Sequence, residues 1–121
     1  MGHVYQEVKV TAKKSKTVRM FVDTGATFSV LPPALATEIG VVCLAKPYRV
    51  RLAAGHSVKM SPGLAIFRIN GRETPSTVLI GKVDEPILGV ETLEALGLAV
   101  DPSAGGLKET RSYTVRLGGV R

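Results

Sequence analysis

Apolar and polar side chains alternate with a period of two along most of this chain, the pattern of half-buried β-strands. In the run Val4-Tyr5-Gln6-Glu7-Val8-Lys9-Val10, Val8 and Val10 predict the inward face of a first strand reaching Thr11. The like charges of Ala12-Lys13-Lys14-Ser15-Lys16 predict an exposed turn or loop. Val18, Met20 and Val22 then alternate with Arg19 and Phe21, predicting a second strand that pairs most simply with the first. It ends on a carboxylate, Asp23. Gly25 predicts a sharp turn, because glycine accepts backbone angles that other residues avoid. Phe28, Val30 and Leu31 resume the apolar pattern until Pro32-Pro33 stops it. An acid held at a bend between two buried strands is rigid and half shielded from water.

The remaining punctuation is equally regular. Pro32 to Gly40 predicts a short helix with proline in its first turn, Leu35 and Ile39 facing inward, and glycine at its exit. Pro47 restarts an extended segment through Leu52, and Tyr48 to Lys59 reads as a hairpin with its tip at Ala53-Ala54-Gly55. Ser61-Pro62-Gly63 predicts a bend, Leu64 to Ile69 a strand, Asn70-Gly71 a type I′ turn, and Thr77 to Ile80 the returning strand. After a loop from Lys82 to Pro86, Val90 to Leu96 predicts a helix with Leu93 and Leu96 on one face and Gly97 as its cap. Leu98 to Asp101 predicts a further strand, followed by a turn-rich break from Pro102 to Gly106. Residues 108–121 read as a flexible tail or, through Tyr113-Thr114-Val115-Arg116-Leu117, as a segment carrying one more strand.

Composition bounds these elements. A chain of 121 residues, 45% hydrophobic, makes one domain over residues 1–121 with a small core. Aromatic content of 5% makes that core aliphatic. No run approaches the roughly 18 to 20 apolar residues of a membrane helix. Met1 to Glu7 lack the basic start and apolar run of a signal peptide, and Gln6 replaces the serine or threonine of a myristoylation motif, so a cytoplasmic protein is expected. The single cysteine, Cys43, excludes an intrachain disulfide and a cysteine-rich zinc site, and Val41-Val42-Cys43-Leu44 predicts that it is a buried small hydrophobe. The net charge is +6 and the pI about 9.8. The basic residues are dispersed among apolar ones, as on the outer face of strands, so nucleic acid is not expected as a partner. Such a surface also attracts acidic polypeptides at long range.

Candidate chemistry rests on Asp23-Thr24-Gly25. Asp-x-Gly alone commonly marks nothing more than a turn capped by its aspartate. Asp23 to Thr27 also fits the Asp-x-Gly-x-Thr phosphate loop of sugar-kinase and actin-like ATPases, whose two large lobes this chain is too short to supply. The whole segment Phe21 to Ala26 resembles, position by position, the hydrophobic-hydrophobic-Asp-Thr-Gly-Ala signature of aspartic peptidases. With one such triplet, the chain resembles the single-domain, retropepsin-like branch. Ile87-Leu88-Gly89 and the helix after it resemble that family's second fixed element, and Thr77 to Gly81 the strand leading towards it. The resemblance runs from about Val18 to Asp101. The helix after Pro32 makes it closer to cellular and prokaryotic members than to retroviral ones.

The resemblance implies an all-β, closed acid-protease-like β-barrel with one or two short helices, assembled as a symmetric homodimer. It implies an aspartic endopeptidase acting on a peptide or protein substrate through Asp23 of both subunits and an activated water, with no metal or organic cofactor. Two carboxylates about 3 Å apart cannot both ionise, so they share a proton. By the same resemblance the Thr24 hydroxyl bonds to the other subunit, and Gly25 completes the catalytic turn. Ala26 and a flap of Leu52, Ala53, Ala54 and Gly55 hold the substrate, while Ile87, Leu88 and Gly89 support the catalytic loop. Terminal strands interleave into a dimer sheet. Two departures stand out: Val90 replaces the arginine that follows the second glycine in retroviral members, and the hairpin tip has a single glycine. The alternative is a module that keeps this fold for binding or assembly without cleavage.

Overall fold

The computed structural model describes residues 3–52 and 54–110. Its first hairpin joins β1 (Tyr5–Thr11) to β2 (Ser15–Val22) in antiparallel register, Val8 opposite Val18 and Tyr5 opposite Phe21. After the bend at Asp23 come β3 (Ser29–Leu31), helix α1 (Pro33–Ile39), β4 (Tyr48–Arg51), β5 (Ser57–Ile69), β6 (Arg72–Ile80) and the two-residue β7 (Ile87–Leu88). Helix α2 (Val90–Leu96) leads into a separate two-stranded sheet of β8 (Leu98–Asp101) and β9 (Gly106–Glu109). The molecule is mostly β.

Seven strands form one sheet in the order β1-β2-β7-β3-β6-β5-β4, and β5 pairs back onto β1 through Lys9 to Thr11 and Ile66 to Arg68. Inward positions alternate as the sequence predicts. Val8, Val10, Met20, Phe67, Ile69, Val78 and Leu88 are essentially excluded from water, and Leu35, Ile39, Leu93 and Leu96 close the core from the two helices. Full burial of side chains this size stabilises by about 1.5–3 kcal/mol each, which is why the alternation determines which face turns inward. Both helices end on a glycine in the left-handed conformation, Gly40 and Gly97. A second, smaller cluster of Val30, Met60 and Leu79 lies to one side, with Phe28, Val50, Leu52, Val83 and Ile87 packed against it. Among the described residues, no helix is long and apolar enough to cross a membrane.

Three expectations are corrected. Ser61-Pro62-Gly63 is not a bend: β5 runs through it, with Pro62 opposite Leu79 and the Pro62 carbonyl accepting the Leu44 N–H at 2.9 Å. Gly63 is there for closeness, since a Cβ on it would stand 2.8 Å from the Val41 side chain. The returning strand begins at Arg72, directly after a two-residue turn in which Asn70 and Gly71 both have positive φ. Cys43 is exposed, not buried, as are Val42 and Leu44, because the segment after α1 runs across the outside of β5.

At the C-terminal side, Lys108 and Glu109 belong to β9, which pairs with β8. Asp101 holds the intervening turn through the Ser103 hydroxyl and the N–H groups of Ser103 and Ala104, and the hydroxyl bond chiefly draws its carboxyl below the ordinary carboxylate value. The segment Tyr113 to Leu117 lies outside the described residues.

Candidate active site

Strand β2 delivers Asp23 at its end, where β7 fixes it from beneath. β7 lies between β2, to which it is parallel, and β3, to which it is antiparallel. The Asp23 N–H donates to the Leu88 carbonyl at 3.0 Å, and the Asp23 carbonyl accepts from Ala26 N–H at 3.1 Å. Its side chain is half-buried, and Oδ1 accepts the Gly25 N–H at 2.9 Å. A backbone donor aimed at a carboxylate is a charge-assisted bond and orients the group. Gly25 makes its turn without a positive φ. What requires glycine here is room, because a Cβ would stand 3.2 Å from Asp23 Oδ1.

The support beneath this loop is largely invisible in the sequence. Val90 N–H donates to the Ala26 carbonyl at 2.8 Å and Glu91 N–H to the Thr27 carbonyl at 2.9 Å. The N-terminus of α2 therefore grips the Asp23 loop through its backbone. Ser29 and Thr92, both fully buried, are joined at 2.7 Å, Thr92 and Ser76 at 2.8 Å, and Ser29 Oγ also accepts the Gly89 N–H at 3.0 Å. The three hydroxyls tie β3, β6 and α2 together. Their partners are 16 to 63 positions apart in the chain, and no periodicity announces them. Replacing Ser29 by alanine strands the Gly89 N–H and is expected to destabilise the protein by about 1–3 kcal/mol, read from the urea midpoint; an unchanged midpoint would mean that the network carries no weight.

Asp23 opens into a groove of about 470 Å³. Gly25 and Ala26 flank the carboxylate, Val30, Leu79 and Ile87 supply apolar wall, and the β4 side of the hairpin contributes Tyr48 through Leu52. Asp23 is the one acidic side chain lining it among the described residues. Of the residues singled out from sequence, Asp23, Gly25, Ala26, Leu52 and Ile87 therefore meet here. Thr24 is exposed beside the groove and does not line it. Leu88 and Gly89 are buried below the loop. Ala54 and Gly55 form the exposed hairpin tip, where Gly55 N–H bonds to the Leu52 carbonyl, without lining the groove. Ala53 lies outside the described residues. Met60 and Val83 line the groove without having been assigned to it beforehand. Among the described residues no group of three or more His, Cys, Asp or Glu side chains is placed to hold a metal ion.

Comparison with known proteins accords with this geometry. No curated protein matches the chain. Among solved structures, EIAV protease, determined in complex with the inhibitor HBY-793, superposes with a TM-score of 0.66 at 20% identity, covering 83% of this chain and 93% of that one. That likeness establishes the fold. Residues 8–95 match the family described as "gag-polyprotein putative aspartyl protease", a span that includes the strand bearing Asp23, the hairpin, β7 and most of α2. The chain belongs to this retropepsin-like aspartyl protease family.

Proposed function

We propose that two copies of this chain assemble about a two-fold axis so that their Asp23 carboxylates meet, and that the pair hydrolyses peptide bonds. The observation that carries the reading is the Asp23 side chain, oriented by Gly25 N–H and standing at a groove with no second carboxylate among the described residues. Cleavage by this chemistry needs a base and an acid together, and a C₂ pair supplies both from one residue. The ionised Asp23 takes a proton from a water molecule, whose oxygen attacks the substrate carbonyl. The protonated Asp23 of the other copy gives its proton to the carbonyl oxygen. When the tetrahedral intermediate collapses, the C–N bond breaks and the nitrogen leaves with a proton from the dyad. In this assembly the exposed Thr24 is expected to bond through its hydroxyl to the other copy, and the ring of paired strands to serve as the closed barrel that carries the loop.

In this reading the hairpin β4–β5 closes over the substrate as a flap, its tip bridged by the Leu52 N–H to the His56 carbonyl at 2.9 Å. Closure is expected to slow amide exchange at Leu52, Ala54 and Gly55 when a peptide inhibitor with a tetrahedral centre is bound. Unchanged exchange at saturating inhibitor would count against it. The reading as a whole is tested by sedimentation mass together with digestion of a peptide library between pH 3 and 7. A monomer at the concentration of assay, or a dimer that cleaves nothing, would leave the fold as a binding or assembly module.

A further inference from the structure

The hairpin that borders the groove carries an electrostatic oddity. Its register places Arg49 directly opposite Lys59, with Arg51 two positions along β4 on the same face, while Val50 and Val58 face the other way. Like charges facing each other across two strands cost stability, and neighbouring carboxylates ordinarily offset them. None does so here. No Asp or Glu occurs anywhere between Glu38 and Glu73, and among the described residues none of Arg49, Arg51 or Lys59 has a carboxylate partner. All three are exposed, β4 is the last strand of its sheet, and Arg49 and Arg51 line the groove together with Asp23.

We propose that Arg49, Arg51 and Lys59 form a cationic rim that selects peptide substrates carrying acidic side chains on either side of an apolar residue at the cleavage point. The inference rests on the peptidase reading above and adds its substrate class. The apolar wall of Val30, Leu79 and Ile87 takes the residue beside the scissile bond, whose flat, carbon-rich surroundings offer nothing to a charge. The rim lies further out, where a Glu or Asp side chain remains half solvated and meets a guanidinium with no carboxylate partner among the described residues, Arg51 Nη1 donating to the Gly55 carbonyl at 3.4 Å. Two-fold assembly repeats the rim at both ends of the groove, so acids are favoured on both flanks. Recognition of this kind acts partly at long range, which raises the rate of encounter and makes it sensitive to salt.

The experiment uses the full-length chain and three peptides that share one apolar pair at the cleavage point, with Glu, Gln or Lys at the flanking positions. The ratio of kcat/KM for the Glu and Gln peptides is the readout, since partial misfolding of a variant lowers both alike. The expected ratio is about tenfold at low ionic strength, shrinking towards one in high salt. It falls towards one in the Arg49→Gln/Arg51→Gln/Lys59→Gln variant, and the Lys peptide becomes preferred in Arg49→Glu/Arg51→Glu. Fluorescence anisotropy of the same peptides on Asp23→Asn measures selectivity independently of cleavage. Acid-selective binding without turnover by the wild type would sink the peptidase reading and leave the rim standing. Equal handling of Glu and Gln peptides in both assays, selectivity that survives the triple variant, or equally tight binding of a single-stranded oligonucleotide of matched charge would overturn the inference.

Discussion

Asparagine at position 23 is expected to reduce peptide cleavage by at least about 10³-fold while leaving the fold unchanged, and to poison wild-type subunits mixed with it. The substitution preserves shape, and the amide oxygen can still accept the Gly25 N–H that Oδ1 accepts at 2.9 Å. The Asp23 backbone bonds to Leu88 and Ala26 do not involve the side chain at all. What disappears is the capacity to exchange a proton with water. The mixing experiment carries the stronger consequence. If catalysis needs both carboxylates, equal amounts of wild type and Asp23→Asn that have exchanged subunits retain about one quarter of the activity of the same total concentration of wild type, because only one pairing in four has two acids. A fall to one half would mean that each subunit works alone. Full activity in Asp23→Asn by itself would remove Asp23 from the reaction, and thermal melts of both proteins show whether any loss is instead one of folding.

The parts of this molecule that were legible in its sequence are those that depend on neighbours in the chain. Val8 and Val10, Val18 to Val22, and Leu93 with Leu96 announce their faces because burial repeats at the period of the element that carries them. Asn70-Gly71 announces its turn because both residues tolerate positive φ. The candidate site was picked out for a different reason: Asp23 and its glycine stand at the end of a strand in a family-like order, and the groove brings Asp23, Ala26 and Leu52 together, with Ile87, expected as support beneath the loop, also in its wall. What escaped is what only the folded chain decides. Pro62 looks like punctuation, yet β5 continues through it, and its carbonyl still takes a bond from Leu44. Cys43 lies among apolar residues that the strand outside the core leaves in water. Arg72 resembles a surface cation after a turn but is buried, with its guanidinium on the Leu96 carbonyl and Glu109. Ser29, Ser76 and Thr92 share no sequence signal, since hydroxyls acquire their meaning from partners the fold supplies.

The second large effect is expected at Gly89, where alanine should cost about 3 kcal/mol or more and disarm the site even in the fraction that folds. Gly89 needs no unusual backbone angle; its φ is −94°. The constraint is contact. A Cβ there would stand 2.5 Å from the Phe28 carbonyl carbon and oxygen and 2.8 Å from the Ser29 nitrogen. These are backbone atoms, so no rotamer change relieves the clash, and β7 or the start of β3 must move. Movement of β7 carries Leu88 away from the Asp23 N–H, and movement of α2 loosens Val90 and Glu91 from the Asp23 loop, because all three bonds spring from residues within two positions of Gly89. Gly106→Ala is the control: a Cβ there meets nothing within 4 Å, and its φ is not in the left-handed region, so alanine should leave stability within about 0.5 kcal/mol. Urea denaturation of the two variants should separate them widely, with Gly89→Ala also losing activity under conditions where it is folded. Equal midpoints would mean that the backbone crossing beneath Asp23 is looser than its geometry, and the single methyl group would then have no route to the carboxylate 66 residues before it.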